Sequence, residues 1–219
     1  MKDPAVIAAY FGSGDTASMD LLDAALARAF PGSPVYRAFL RSGFRPSVPE
    51  VLASLGRDTP VYVHPMLLNC GVTYRRLLDL CGAPNITVGQ PLLSHREAVA
   101  RAVCGWYPRN TLLMAHGSGG DLTGFAEVLP AGYWLAAMNG QPSLTELLPR
   151  LAGTRLYLAP FLLTAGYHVS KDLAAWREHL TTRGCTVEVL PRPLAQCPAI
   201  QTIITAHGAM GMGGRKPCD

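Results

Sequence analysis

Two histidines stand where apolar runs give way to glycine: His116 in LLMAHGSGG (112–120) and His168 in FLLTAGYHVSKD (161–172). Neutral imidazoles held at the ends of strands in one lobe form a borderline-soft ligand pair, suited to cobalt, nickel, iron or zinc. An esterase would use His-Gly-Ser-Gly-Gly (116–120) as an oxyanion loop, but it needs a G-x-S-x-G nucleophile elbow, and the chain has none. A phosphohistidine phosphatase would want arginine before His116, where Ala115 stands. The Gly12-Ser13-Gly14 and Gly117–Gly120 loops fit neither G-x-G-x-x-G nor the P-loop string. A hydrolytic metal site lacks the carboxylate ligands it would need. The other histidines read as structural. His64 lies inside a strand run, His95 in a first helical turn and His179 on a polar helix face, while His207 ends the last helix, where a cation suits the dipole.

The elements that must carry His116 and His168 alternate in type. AVIAAYF (5–11) is a continuous apolar run, as a strand buried on both faces requires, and Gly-Ser-Gly-Asp ends it. SMDLLDAALARAF follows with helical spacing of its apolar residues and stops at Pro31-Gly32. Further strands are predicted at PVYRAF, PVYVHPML, NITVGQ, NTLLMAH, YWLAAMN, RLYLAPFLL and CTVEVL. Helices are predicted over 48–56, 73–81, 94–105, 122–130, 144–152, 170–183 and 198–207. This alternation specifies an α/β chain with parallel sheets flanked by helices.

An internal repeat refines the picture. AYFGSGD (9–15) echoes MAHGSGGD (114–121), PSVPEVLASLG (46–56) echoes PSLTELLPRLAG (142–153), and VYVHPMLLNCG (61–71) echoes LYLAPFLLTAG (156–166). The chain therefore divides into two similar lobes, 1–90 and 91–219, related by a pseudo-twofold repeat. The ligand is expected in a cleft at the carboxyl ends of the strands. In this comparison His116 replaces Phe11 and His168 replaces Thr73, so the imidazoles belong to the second lobe alone.

Composition narrows the partners. Of 219 residues 49% are apolar and 16% charged, enough for a packed core and too ordered a mixture for a disordered chain. The net charge of +4 is spread without a basic stripe, which disfavours nucleic acid and favours a small polyanionic substrate. No apolar run reaches the roughly 18 residues of a membrane span. MKDPAVIAAYFGSGD reads as a first strand, not a signal peptide, so a soluble cytoplasmic protein without a membrane partner is expected. A homo-oligomer is compatible with the sequence. The six cysteines include no C-x-x-C pair, and most read as small apolar residues in a reducing compartment.

LLMAHGSGG, AMNGQPS, LAPFLLTAGYHVSKDLAAW and CPAIQTIITAH resemble, in order, the signature segments of the anaerobic cobalt chelatases of the CbiK type, sirohydrochlorin cobaltochelatases of the class II chelatase fold. AYFGSGD, PVYRAFL and PVYVHPMLLNCGVTY resemble that family's first half. The resemblance implies two similar α/β lobes and insertion of cobalt, or nickel or iron, into sirohydrochlorin. The metal is then a substrate, and no organic cofactor is needed. It further implies that His116 and His168 handle the metal. Asn139 stands where the family carries a carboxylate, and Tyr167 stands where relatives usually carry aspartate. Asn139 retains a carbonyl for the metal but cannot take a proton. The implied polycarboxylate substrate calls for cations and backbone N–H donors. Arg41, Lys171 and the Gly12, Ser13 and Ser118 loops are candidates; Phe11, Met66, Leu67, Phe161 and Leu162 are either ring contacts or core packing, which explains them equally well. The alternative to catalysis is a tetrapyrrole- or metal-binding protein on the same scaffold.

Overall fold

AVIAAY has no polar residue to turn toward water, and it forms β1 (Ala5–Tyr10), buried along its whole length. The computed structural model describes residues 3–117 and 120–210, leaving aside the side chains of residues 120, 167–170 and 210. After β1 come α1 (Thr16–Ala29), β2 (Val35–Phe39), α2 (Val48–Leu55), β3 (Val61–Met66), α3 (Val72–Leu80) and β4 (Ile86–Val88). A 3-10 turn at Leu92–His95 leads into α4 (Arg96–Trp106), β5 (Thr111–Ala115), α5 (Gly120–Val128) and β6 (Tyr133–Ala137). The chain then continues through α6 (Leu144–Leu151), β7 (Arg155–Phe161), α7 (Tyr167–Thr181), β8 (Thr186–Val189) and α8 (Pro198–Met210). Each strand and helix expected from the sequence is present, so the α/β class stands.

The strands form two four-stranded parallel sheets of the same order, β2-β1-β3-β4 and β6-β5-β7-β8. The inner strands β1 and β5 are continuous apolar runs because helices cover both faces. The edge strand β8 alternates exposed and half-buried residues. Two compact units result: one runs to Ser94 and takes the chain back from Gln201, and the other spans His95 to Ile200. In the first, Ile7, Ala9 and Val63 pack with Val48 and Val51 of α2 and Leu77 of α3. In the second, Leu112, Met114 and Leu158 pack with Leu148 and Leu151 of α6 and Leu173 and Leu180 of α7.

The prolines inside β3 and β7 are accommodated by the same device. The Val63 carbonyl accepts from Gly89 beyond β4, and the Leu158 carbonyl accepts from Leu190 beyond β8, 2.9 Å each. Two residues on, Pro65 and Pro160 present the same side to a flank where β4 and β8 have ended, so their missing N–H has no ladder to serve. Cys81, Cys185 and Cys197 are buried free thiols, as expected of apolar filler, and Cys104 is half-buried; Cys70 departs from that reading because it is disulfide-bonded.

The first unit closes around α8. The Thr205 hydroxyl donates to the Ala25 carbonyl of α1 at 2.8 Å. Gly208 sits so close to α1 that a Cβ there would lie 2.7 Å from the Ala29 Cβ and 3.0 Å from the Phe30 ring. His207, expected from the sequence as a cation at a helix end, is instead only 8% exposed. Its charge and, above all, full burial push His64 down to about 3, so His64 stays neutral and shares a 3.2 Å hydrogen bond with the Tyr62 hydroxyl through Nδ1.

Two outcomes follow from this packing. The folded-state pKa of His64 is depressed below its ordinary value of 6.5, so its contribution to stability is complete above that pH and is lost as pH falls toward 3. The full swing is on the order of 4 kcal/mol. Urea titrations at stepped pH should show a shallower acid decline in His64→Leu than in the parent; parallel curves would contradict the assignment. Gly208→Ala should lower stability by about 2 kcal/mol, because the helices must part to admit the methyl group, and thermal unfolding would show it.

Candidate active site at the carboxyl edge of the second sheet

Parallel pairing brings the ends of three strands level: Ala115 of β5 is opposite Ala137 of β6 on one side and Phe161 of β7 on the other. From β5 the chain moves to β6 and then reverses to β7, and such a reversal makes the crevice beyond the β5 and β7 ends the natural ligand position. His116 is the first residue past β5 and is exposed there. Asn139 lies two residues past β6 and is also exposed. His168 is the second residue of α7, which begins six residues past β7; its side chain lies outside the described residues, as does Ser118.

Local bonding shapes these loops. The Met138 N–H donates to the Ala115 carbonyl at 2.9 Å, holding the start of the Asn139 loop against the exit of β5. The loop then turns back, and Ala137 donates to the Pro142 carbonyl at 2.7 Å. The Gln141 side chain braces the turn by accepting from the Ser143 N–H at 3.0 Å and donating to Glu146 at 2.7 Å. Beyond β7, Leu194 and Ala195 donate to the Leu162 and Leu163 carbonyls at 2.8 and 3.1 Å, which fixes the approach to α7. Gly166 caps α7. The Tyr107 hydroxyl, kept protonated by burial, donates to the Arg192 carbonyl at 2.6 Å and anchors the chain that follows β8.

The first sheet offers the same edge with different chemistry. Phe11 takes the place of His116 and is 49% exposed. Leu40 and Arg41 donate to the Tyr10 and Phe11 carbonyls at 2.8 Å each, and the Arg41 guanidinium carbon lies 6.0 Å from the Phe11 ring centre and 5.8 Å from that of Phe44. This is the outer limit of a cation–π contact. Behind it, the Tyr10 hydroxyl donates to Asp23 at 2.7 Å, and Arg37 donates to the same carboxylate at 2.8 Å. Burial and the Asp23 charge raise Tyr10 far above the ordinary phenol range, so it remains a donor that ties β1 to α1. In the loop, Ser13 accepts from the Asp15 N–H at 3.1 Å and Asp15 caps α1 through Ser18.

Among the described residues no three His, Cys, Asp or Glu side chains cluster about one point. His116 and Asn139 are brought to one edge, and Lys171 is exposed on α7 close to its start. For two of the residues that are either ring contacts or core packing, burial decides for the core. Phe161 is fully buried and stacks on Phe125 with ring centres 4.6 Å apart, and Met66 is 4% exposed, because both complete strands whose last residues still face the core. Leu67 and Leu162, half-buried, pack on the two cores. The sequence reading passed over Val72, which opens α3 and is 75% exposed; its only advance signal was its place beside Thr73 in the repeat.

The Gly12 conformation can be checked directly. With φ +148, a Cβ on Gly12 would fall 2.9 Å from the Phe44 ring and 3.2 Å from the Arg41 Cβ, whereas a Cβ on Gly14 meets nothing within 4 Å. Gly12→Ala should cost about 2 kcal/mol and Gly14→Ala almost nothing, as read by thermal denaturation of the two variants side by side.

Residues 109–210 match the family model described as cobalt chelatase (CbiK), so the segment resemblance has independent support in the half that carries both histidines. Solved structures extend the likeness to the whole chain at the level of fold. SirB from Bacillus subtilis, solved with Fe3+, is 16% identical over 94% of each chain with a TM-score of 0.67. Sirohydrochlorin chelatase SirB from Bacillus subtilis subspecies spizizenii, in complex with cobalt, is 16% identical over 94% of each chain with a TM-score of 0.61. DR2241 from Deinococcus radiodurans, a multi-domain protein with structural similarity to chelatases and two additional novel domains, is 17% identical with a TM-score of 0.64. That match covers 99% of this chain and 56% of that one. Curated protein sequences return no significant match. No helix of the described residues is long and apolar enough to cross a membrane. The chain has the chelatase fold.

Proposed function

Taking the cobalt chelatase match over residues 109–210 as the premise, we propose that this protein inserts a divalent metal, cobalt in the first instance and nickel or iron as alternatives, into sirohydrochlorin. The observation that carries the reading is the position of His116: it leaves the central strand of the second sheet, at the point where strand order reverses, inside the matched segment. The metal is a substrate, and the chemistry requires no organic cofactor.

Metal insertion expels two pyrrole N–H protons, so an acceptor must stand close to the macrocycle centre. In this proposal His116 and His168 hold the incoming ion; His116 takes one of the two protons as the pyrrole nitrogens replace it on the metal, and the other passes to solvent water. Asn139 contributes its amide carbonyl to the ion or a hydrogen bond to the ring edge. The ring carboxylates are assigned to Arg41, Lys171 and the N–H groups of the Gly12-Ser13 and Ser118 loops, with Phe11 against the ring face. Without a carboxylate at position 139 the site carries less negative charge, which weakens its hold on a free dication. The same substitution supports a second reading, in which the scaffold binds the tetrapyrrole or the metal without turnover.

Anaerobic mixing with sirohydrochlorin and cobalt, nickel or iron salts, followed by absorbance, separates these readings. Chelation well above the uncatalysed rate is expected, whereas the uncatalysed rate with retained binding would leave only the binder. His116→Ala should lose at least about 100-fold in rate, the scale of a lost proton acceptor, while His95→Ala stays near the parent. Asn139→Glu should raise turnover.

A further inference from the structure

We propose that Phe44 is a positioning residue of the first edge: it holds the Arg41 guanidinium where a ring carboxylate of the tetrapyrrole docks. The inference rests on the tetrapyrrole reading given above and adds a residue to it. The two halves make the same backbone bonds at the exit of their second strand. Leu40 donates to the Tyr10 carbonyl as Met138 does to that of Ala115, and Phe39 donates to the Pro46 carbonyl as Ala137 does to that of Pro142. Arg41 therefore occupies in the first half the place of Asn139 in the second, so a cation stands where the other edge has a neutral amide. Between these shared bonds the loop from Leu40 to Pro46 is two residues longer than that from Met138 to Pro142, and the longer loop carries Phe44.

An aromatic series ties Phe44 to the core. Its ring centre lies 5.5 Å from that of Phe39, which is buried and in turn lies 6.3 Å from Tyr10. The ring also closes on the backbone of Gly12, where a Cβ would be 2.9 Å away. Phe44 thus borders both parts of the first edge assigned to carboxylates, the Arg41 side chain and the Gly12-Ser13 loop. With the guanidinium carbon 5.8 Å from the ring centre, the electrostatic gain is small. The effect is steric: a guanidinium with one face against a fixed ring samples fewer directions and loses less freedom when a carboxylate arrives. Charge points the same way. Arg37 pairs with Asp20 and Asp23, and Arg45 pairs with Glu50, whereas Arg41 between them has no carboxylate partner among the described residues. Its planar fork matches a carboxylate supplied from outside.

The test is an anaerobic titration of the full-length, metal-free protein with sirohydrochlorin, read by absorbance. Arg41→Gln should raise Kd about 10-fold, the scale of one charged hydrogen bond. Phe44→Leu should raise it about 5-fold, the share of that contact that depends on a preset direction. Phe44→Tyr keeps the ring and should restore Kd to within about twofold of the parent. In the double variant Arg41→Gln/Phe44→Leu, Kd should match that of Arg41→Gln alone, because a residue that acts through Arg41 has nothing left to position. An unchanged Kd in Phe44→Leu overturns the proposal, and so do losses that multiply in the double variant, which is how a general loosening of the fold would read. Binding and turnover keep the outcomes apart. A parent that binds sirohydrochlorin without metallating it refutes the chelatase reading and leaves the mutant cycle to decide on Phe44, whereas a parent that binds no sirohydrochlorin overturns both.

Discussion

The register of β5 against β7 is the constraint on which the site depends. Because the strands are parallel and Ala115 is paired with Phe161, their exits lie side by side at one edge of the sheet. A histidine immediately past one strand and a helix starting shortly past the other are thereby brought to the same edge of the sheet. An antiparallel pair would send those exits to opposite edges. The ladder bonds are sheltered by Leu112, Met114 and Leu158 on the α6–α7 face, so the geometry of the loops is inherited from the most rigid part of the unit.

The two halves show how one scaffold carries different chemistry. Both have the same strand order and a proline in the equivalent strand. Both also carry the same backbone bond from the second strand's exit to the central strand's last carbonyl. What differs is a few side chains past the strand ends. At the first edge stand Phe11, Val72 and Arg41, and at the second His116, Asn139 and Lys171.

The amide at position 139 bears on the charge of the proposed site. Under the proposed chelatase reading, a site that releases its metal to a macrocycle gains nothing from very tight binding of the free ion, and an amide at position 139 suits that. Orientation then matters more than charge, because two imidazoles hold a dication well only when their lone pairs converge. The braced turn at Gln141–Ser143 and the anchored approach to α7 supply stiffness on both sides of His116.

Strand and helix order was legible in the sequence because continuous apolar runs and helical spacing reflect burial on two faces or one, and the repeat made the doubled sheet visible. The chemical identity of the strand exits, His116 and Asn139 among them, could be read in the same way, since glycine and proline mark where each strand must stop. The neighbours across the fold could not. That Phe161 turns inward onto Phe125, that His207 is buried near His64, and that α8 returns to pack on α1 through Gly208 all depend on residues far apart in the chain. Sequence by itself determined which segments are apolar enough to form the sheets and which residues leave their ends. Tertiary structure alone decided which of those residues are covered, because burial is set by partners that no local pattern encodes.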